Sequence, residues 1–399
     1  LMIEHKDYSV PKGKFLEVSG PAALRVLKGT GILMGKRLCN EDFIIVPRWR
    51  TYVIRAEEDM RVSISQSQDT EVKIVDYNVS LEWEEKLRKL DADRIVVAGP
   101  VDAGKSSVTA TLANIMLENK GKIVVINSDV GQSNFCLPTT VCKAEVKDFI
   151  FTLHDLKPVR TKFTGTITPA VEGERVIAST AALVEDDFIL DTDGWVDGYE
   201  AGYYKHNLLE AVRPQAVIYL GEPPWWTKGP WKLVKLTPTK GRSRSRGDRR
   251  TIRKEKYKKA LEKCDVREIN LEGTTTLFSR LFTSRVVDRV ILEATAKTIG
   301  TKPLMVAMSD SKVIAVVRRG ARYRKVREVT VIEEGEERGL LVGLGDENGN
   351  DTLGMIIKID YKSLNARIKT CFEGVPSYLS FGRVKLDENW NDAVCNKFF

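Results

Sequence analysis

Short apolar runs broken by turn residues dominate the first 80 positions. Lys14-Phe-Leu-Glu-Val18, Asp42-Phe-Ile-Ile-Val46, Tyr52-Val-Ile-Arg55, Arg61-Val-Ser-Ile64 and Glu71-Val-Lys-Ile-Val75 are separated by segments such as Ser19-Gly-Pro21 and Asn40-Glu-Asp42. That spacing predicts a small all-β domain over residues 1–80. A polar stretch of helical character, Ser80 to Leu90, then leads to Asp91-Ala-Asp93, where a boundary is expected. From Arg94 to about Lys263 the pattern changes. Apolar strands at Ile95–Ala98, Lys122–Asn127, Phe188–Asp191 and Ala216–Leu220 alternate with helical stretches, among them Ser107–Met116 and Gly202–Val212. The alternation predicts a doubly wound α/β sheet over residues 81–264, with its ligand at the carboxyl ends of the strands. After Cys264, strand-like runs return at Val313–Val317, Glu328–Ile332, Gly339–Gly343, Gly354–Asp360 and Phe381–Leu386, predicting a second small β domain over 265–399. The expected fold is therefore α/β: a central parallel sheet with small N- and C-terminal β domains on either side in the chain.

The turn between the first central strand and its helix carries the clearest chemical signal. Gly99, Pro100, Val101, Asp102, Ala103, Gly104, Lys105, Ser106 and Ser107 fit G-x-x-x-x-G-K-[ST], with an apolar run before them and a helix after. In that setting the glycines let backbone N–H groups turn inward around a triphosphate, and the helix N-terminus adds partial positive charge. Lys105 would reach the β- and γ-phosphates, and the Ser106 hydroxyl would sit on Mg2+. A chance glycine-rich turn is the plain alternative, and the flanks weigh against it. ATP with Mg2+ is the expected pair, because no N-K-x-D segment for reading guanine is present.

Composition adds limits. At 399 residues, two or three domains are expected, and 42% hydrophobic residues with a mean hydropathy of −0.23 fit soluble domains with real cores. No long uncharged apolar run suggests a membrane span, and Leu1-Met-Ile-Glu-His-Lys-Asp7 lacks the apolar core of a secretory leader. A cytoplasmic protein of prokaryotic type is expected, or a nuclear one in a eukaryote. Six scattered cysteines form no C-x-x-C pair, so buried reduced thiols are the favoured reading over metal ligands or bridges. A charged fraction of 30% beside four glutamines is typical of thermophile proteins. Net charge is +8, yet Lys240 to Lys263 alone holds twelve Lys/Arg against three Asp/Glu, leaving the remainder close to neutral. A concentrated basic segment suggests a polyanionic partner.

Several polar segments follow strand ends. Ile126-Asn-Ser-Asp-Val-Gly-Gln-Ser133 sets Asp129 at a carboxyl edge, where it can bind Mg2+ or accept a proton from a substrate hydroxyl; a loop Asp that only caps a helix is the alternative. Gln132 could orient a water or a phosphate oxygen. Phe163-Thr-Gly-Thr-Ile-Thr-Pro169 reads equally as a phosphate-holding turn or an ordinary connection. Leu190-Asp-Thr-Asp-Gly-Trp-Val196 brings Trp195, which packs at a rim or stacks on a base. From Asp248 onward the basic stretch is helical in character, with Arg249, Arg253 and Tyr257 on one face. It reads as a lid of arginines over a transferring phosphate or as a solvated basic tail.

In order along the chain, these segments resemble the polynucleotide 5′-hydroxyl kinase family, which includes the RNA kinase of eukaryotic pre-mRNA 3′-end processing and its archaeal and nucleolar relatives. Gly99–Ser107 resembles the family's P-loop, and Asn127-Ser-Asp129-Val-Gly-Gln132 its D-x-D-x-G-Q motif, with Asn127 where an acid is usual. Thr168-Pro169 and Thr192-Asp-Gly-Trp195 resemble its Thr/Ser-Pro and N-T-x-G-W elements. Arg244-Ser245, Arg249 and Arg253 reproduce its lid spacing, and Gly339–Leu344 and Phe381–Val384 resemble pieces of its C-terminal domain. The resemblance implies an ATP-dependent kinase of the 5′-hydroxyl end of RNA, with DNA open as a second acceptor and protein partners unspecified. It implies catalytic roles for Lys105, Asp129, Arg249 and Arg253, with Ser106 and Asp129 at Mg2+. Gln132, Thr168, Thr192, Trp195 and Arg244 fall on the RNA. A catalytically silent, ATP-bound scaffold in an RNA-processing complex is the alternative, and a P-loop switch without transfer to nucleic acid a third.

Overall fold

The continuous apolar run Ile95–Ala98 is almost wholly inaccessible, as expected of a strand covered on both faces of a parallel sheet. The computed structural model describes residues 3–48, 50–239, 245–286, 288–309 and 312–398. The chain forms two compact units, each assembled from separate stretches. The first comprises Leu1–Asn127, Lys143–Pro158 and Val184–Arg244; the second comprises Ser128–Cys142, Val159–Leu183 and Ser245–Phe399.

In the first unit, Glu4–Val10, Ala22–Lys28, Phe43–Val46 and Met60–Gln66 make one antiparallel sheet, and Phe15–Ser19, Gly31–Leu33, Lys36–Leu38, Thr51–Ala56 and Glu71–Val75 make another. Alternate residues such as Tyr52, Ile54, Val62 and Ile64 point into their shared core, the period of two that the sequence displays. The same unit holds five parallel strands in the spatial order Ile123–Asn127, Phe188–Asp191, Arg94–Ala98, Ala216–Leu220, Lys232–Leu236. The helix Lys105–Leu117 is buried nearly all round. Its Asn114 fixes the N-terminal β region to it, donating to the carbonyls of Met34 (2.9 Å) and Ile150 (2.8 Å).

The second unit centres on a sheet ordered Asp265–Asn270, Asn365–Thr370, Asp351–Asp360, Leu340–Gly345, Tyr378–Leu386, Thr275–Leu277, with Asp392–Val394 paired to Tyr378–Leu386. A three-stranded sheet of Met305–Ser309, Lys312–Val317 and Val329–Glu333 shares its core, which includes Ile356, Ile368, Leu379 and Phe381. Among the helices of this unit are Pro169–Ala181 and Arg246–Leu261. From the second, Tyr257 and Leu261 bury themselves among Phe163, Leu341, Leu353 and Val384.

One expectation is corrected. Cys136 bonds Cys142 and Cys264 bonds Cys371, leaving Cys39 and Cys395 as free thiols. The second pair lies 107 residues apart in sequence, so only the fold brings its Cα atoms to 4.8 Å. Among the described residues, no helix is long and apolar enough to cross a membrane.

Candidate active site

The P-loop is shaped by two glycines that carry positive φ. Gly99 (φ +151°) lies against Leu220, and Gly104 (φ +104°) N-caps the helix Lys105–Leu117. A Cβ on Gly104 would come within 2.9 Å of both Thr239 Oγ1 and the Trp83 ring. Trp83 is itself buried, with its indole N–H donating to the Thr237 carbonyl (2.8 Å). The Lys105 ammonium donates to the loop's own carbonyls, Gly99 (3.0 Å) and Pro100 (2.8 Å), so it is held inside the turn it serves.

Next to the P-loop strand in the sheet, Phe188–Asp191 ends in a buried carboxylate. Register sets Asp191 opposite both Val97 and Asn127, at the carboxyl ends of three adjoining strands. The Ser106 hydroxyl donates to Asp191 Oδ2 (3.0 Å), and the Asn127 amide approaches the same oxygen at 3.5 Å. Thr192 is buried, its hydroxyl donating to the Val97 carbonyl (3.0 Å). Gly194 is forced by proximity: a Cβ there would lie 2.5–2.8 Å from Val101 at the P-loop tip. Trp195, half-buried, stacks on Tyr204 with centroids 5.9 Å apart, and its amide donates to Asp193 (2.9 Å). Asp193 is buried against the Lys205 ammonium at 2.8 Å. Within the first unit, therefore, Gly99–Ser107, Thr192 and Trp195 are brought together.

The remaining described candidates, Asp129, Gln132, Thr168, Arg249 and Arg253, belong to the second unit. Asp129 Oδ1 accepts the amides of Gly131 (3.1 Å) and Gln132 (2.7 Å), which fixes the turn that carries both side chains. Thr168 N-caps the helix Pro169–Ala181, accepting from the Ala170 amide at 3.3 Å, with Pro169 at the first helical position where no amide is needed. The basic helix Arg246–Leu261 starts in a capping box between Ser245 and Asp248. Arg249 and Arg253 lie on its packed face. Arg253 grips the buried Asp392 with two nitrogens, and that carboxylate, with Asp129 further off, outweighs burial and raises its pKa. Lys256 holds the loop after Asp129 by donating to the carbonyls of Ser133 (2.5 Å) and Cys136 (3.0 Å). Arg244 lies outside the described residues, as does the rest of Lys240–Arg244.

Residues 99–263 match the family model described as the mRNA cleavage and polyadenylation factor CLP1 P-loop. This stretch resembles that P-loop domain. The chain is similar to the polyribonucleotide 5′-hydroxyl-kinase of Pyrococcus abyssi, 28% identical over 336 residues that make up 78% of this chain and 92% of that one. A second such kinase, from Pyrococcus furiosus, is 29% identical over 322 residues, 74% of this chain and 88% of its own. Among solved structures, Clp1p in complex with Pcf11p superposes with a TM-score of 0.55 at 15% identity, over 96% of this chain and 98% of that one. The likeness shows a shared fold.

Sequence reasoning missed Asp191, Lys256 and Asp392. Asp191 reads as the last residue of an apolar strand; its signal is a carboxylate ending the run just before Thr192-Asp-Gly-Trp195. The magnesium ion expected with ATP fits this chain. Beside the Ser106 hydroxyl and the Asp191 carboxylate, the buried Asn127 Oδ1 has no hydrogen-bond partner among the described residues, an oxygen set suited to a hard cation. Among those residues no cluster of three His, Cys, Asp or Glu could hold a metal unaided, so the ion would share its shell with phosphate oxygens and water.

Proposed function

We propose that this chain is an ATP-dependent kinase of 5′-hydroxyl RNA, with DNA as a second acceptor. The observation that carries the reading is the complete cradle at the P-loop: Lys105 held inside the turn and Ser106 bonded to Asp191. Similarity to archaeal polyribonucleotide 5′-hydroxyl-kinases over most of the chain supports the acceptor. The P-loop amides and Lys105 bind the triphosphate; Ser106 and Asp191 would hold Mg2+, and Asp129 acts as base instead of ligand. A magnesium ion bound there would neutralise charge on the β- and γ-phosphates. Asp129 takes the proton of the RNA 5′-hydroxyl as that oxygen bonds to the γ-phosphorus and the bond to the ADP oxygen breaks. Arg249 and Arg253 stabilise the charge on the phosphoryl group in flight, with Arg244 assisting. Gln132, Thr168 and Trp195 orient the terminal nucleotide, and Thr192, its hydroxyl given to Val97, positions the loop that bears Trp195. Incubation with γ-labelled ATP and a 5′-hydroxyl oligoribonucleotide should move label onto the RNA. Label released only as inorganic phosphate would leave a switch, and no turnover with ATP bound would leave a scaffold.

A further inference from the structure

We propose that a basic cleft in the second unit binds the ribose-phosphate backbone of the acceptor RNA at phosphates beyond its terminal nucleotide; this rests on the reading of the chain as an RNA kinase. A cavity of about 360 Å3 is walled by Arg280, Lys312, Arg383 and Lys397, and among the described residues no carboxylate lines it. Two of these cations are committed within the protein. Arg383 pairs with Glu172, a residue that leaves helical geometry (φ −138°, ψ 46°) inside Pro169–Ala181, and Lys397 pairs with Glu336. Arg280 and Lys312 differ: both are exposed, and neither side chain has a hydrogen bond or ion pair with any described residue.

Local structure explains why Lys312 faces the cleft. It opens the strand Lys312–Val317, and the two-residue period puts it on the face of Ile314, whose register partner across the parallel pair is Thr330. The wall thus presents two charges without a partner among the described residues, and the Thr330 hydroxyl, a donor set for phosphate oxygens. The volume falls in the range of about 300–1,000 Å3 usual for sites that enclose nucleotide-sized groups, larger than a lone phosphate requires. None of the residues assigned to ATP or to the reacting hydroxyl lines it, so its ligand is a different stretch of polyanion.

The test is the salt dependence of binding by the full chain to a long 5′-hydroxyl oligoribonucleotide, compared with phosphorylation of a dinucleotide too short to reach beyond the terminal residues. Replacing Arg280→Gln together with Lys312→Gln removes two contacts. The slope of log K against log salt should become shallower by about 1.4, two single-strand phosphates at about 0.7 each, while dinucleotide phosphorylation stays at the wild-type level. An unchanged slope overturns the proposal, as does equal loss on both substrates, which would place these side chains at the terminal nucleotide or in the fold. Should the wild-type chain transfer no phosphate while the double variant still binds RNA with the shallower slope, the kinase reading fails and the cleft stands. Lys312→Gln alone, expected to change the slope by about 0.7, guards against a folding defect in the double variant.

Discussion

Lys205 and Asp193 form an ion pair with side chains only 2% and 7% exposed, directly beneath the loop that bears Trp195. Removing one partner of such a pair strands a charge in low dielectric, so Lys205→Met should cost about 3–5 kcal/mol, read as a lowered midpoint in urea unfolding. The two carboxylates near the proposed chemistry separate by a different measurement. Asp129→Asn keeps the oxygen that accepts the Gly131 and Gln132 amides, so the turn survives while the proton acceptor is lost. The expected result is a fall in kcat of about 10²–10⁴ at saturating ATP and magnesium, with ATP affinity kept. Asp191→Asn should instead raise the magnesium concentration needed for half-maximal rate by about 10–100-fold, and added magnesium should recover much of the rate. A magnesium requirement that shifts for Asp129→Asn and not for Asp191→Asn would exchange the two roles.

Among the elements, the helix Arg246–Leu261 combines an apolar anchor at Tyr257 and Leu261 with a basic remainder. If it is a catalytic lid, Arg249→Ala and Arg253→Ala should lower kcat at saturating RNA, while Lys258→Ala should change only salt-dependent affinity. Arg253→Ala leaves the buried Asp392 without its partner and should lower Tm, and Arg253→Lys should rescue little because a point charge lacks the fork. This helix was legible from Asp248 onward, because its charges and Tyr257 repeat at helical spacing. Runs with strong periodicity were equally plain: Glu71–Val75 and Ala216–Leu220 begin and end where their apolar pattern does. Pro169–Ala181 was hidden, since Gly173 and β-branched residues dilute its pattern and its N-cap, Thr168, reads as part of a turn. Arg289–Ile299 was hidden inside a region of strands. The P-loop residues were found because one backbone shape demands that spacing, whereas Asp191 and Asp392 matter through partners 85 and 139 residues away, a relation no local pattern contains.

Across the whole molecule, burial holds several phenols protonated above their ordinary range. Tyr52 is pushed up to about 12, and desolvation likewise raises Tyr219, Tyr257, Tyr361 and Tyr378. The folded chain therefore keeps protons that the unfolded chain gives up near pH 10, so this contribution to stability is intact below that point and lost as pH rises toward the folded values. Unfolding midpoints measured from about pH 9 to about pH 12 should fall steadily, in step with the appearance of tyrosinate absorbance. The way the backbone is shared between the two units has a consequence for how the protein is made. It passes from one unit to the other five times, at residues 127, 142, 158, 183 and 244. On the ribosome the first unit lacks its last strands until the segment up to Arg244 has emerged, and Ser128–Cys142 and Val159–Leu183 must wait for packing and hydrogen-bond partners encoded after Ser245. Neither unit can be cut out as a contiguous piece of gene, and a chain that terminates early releases the motif loop of Asp129 without the framework that shapes it.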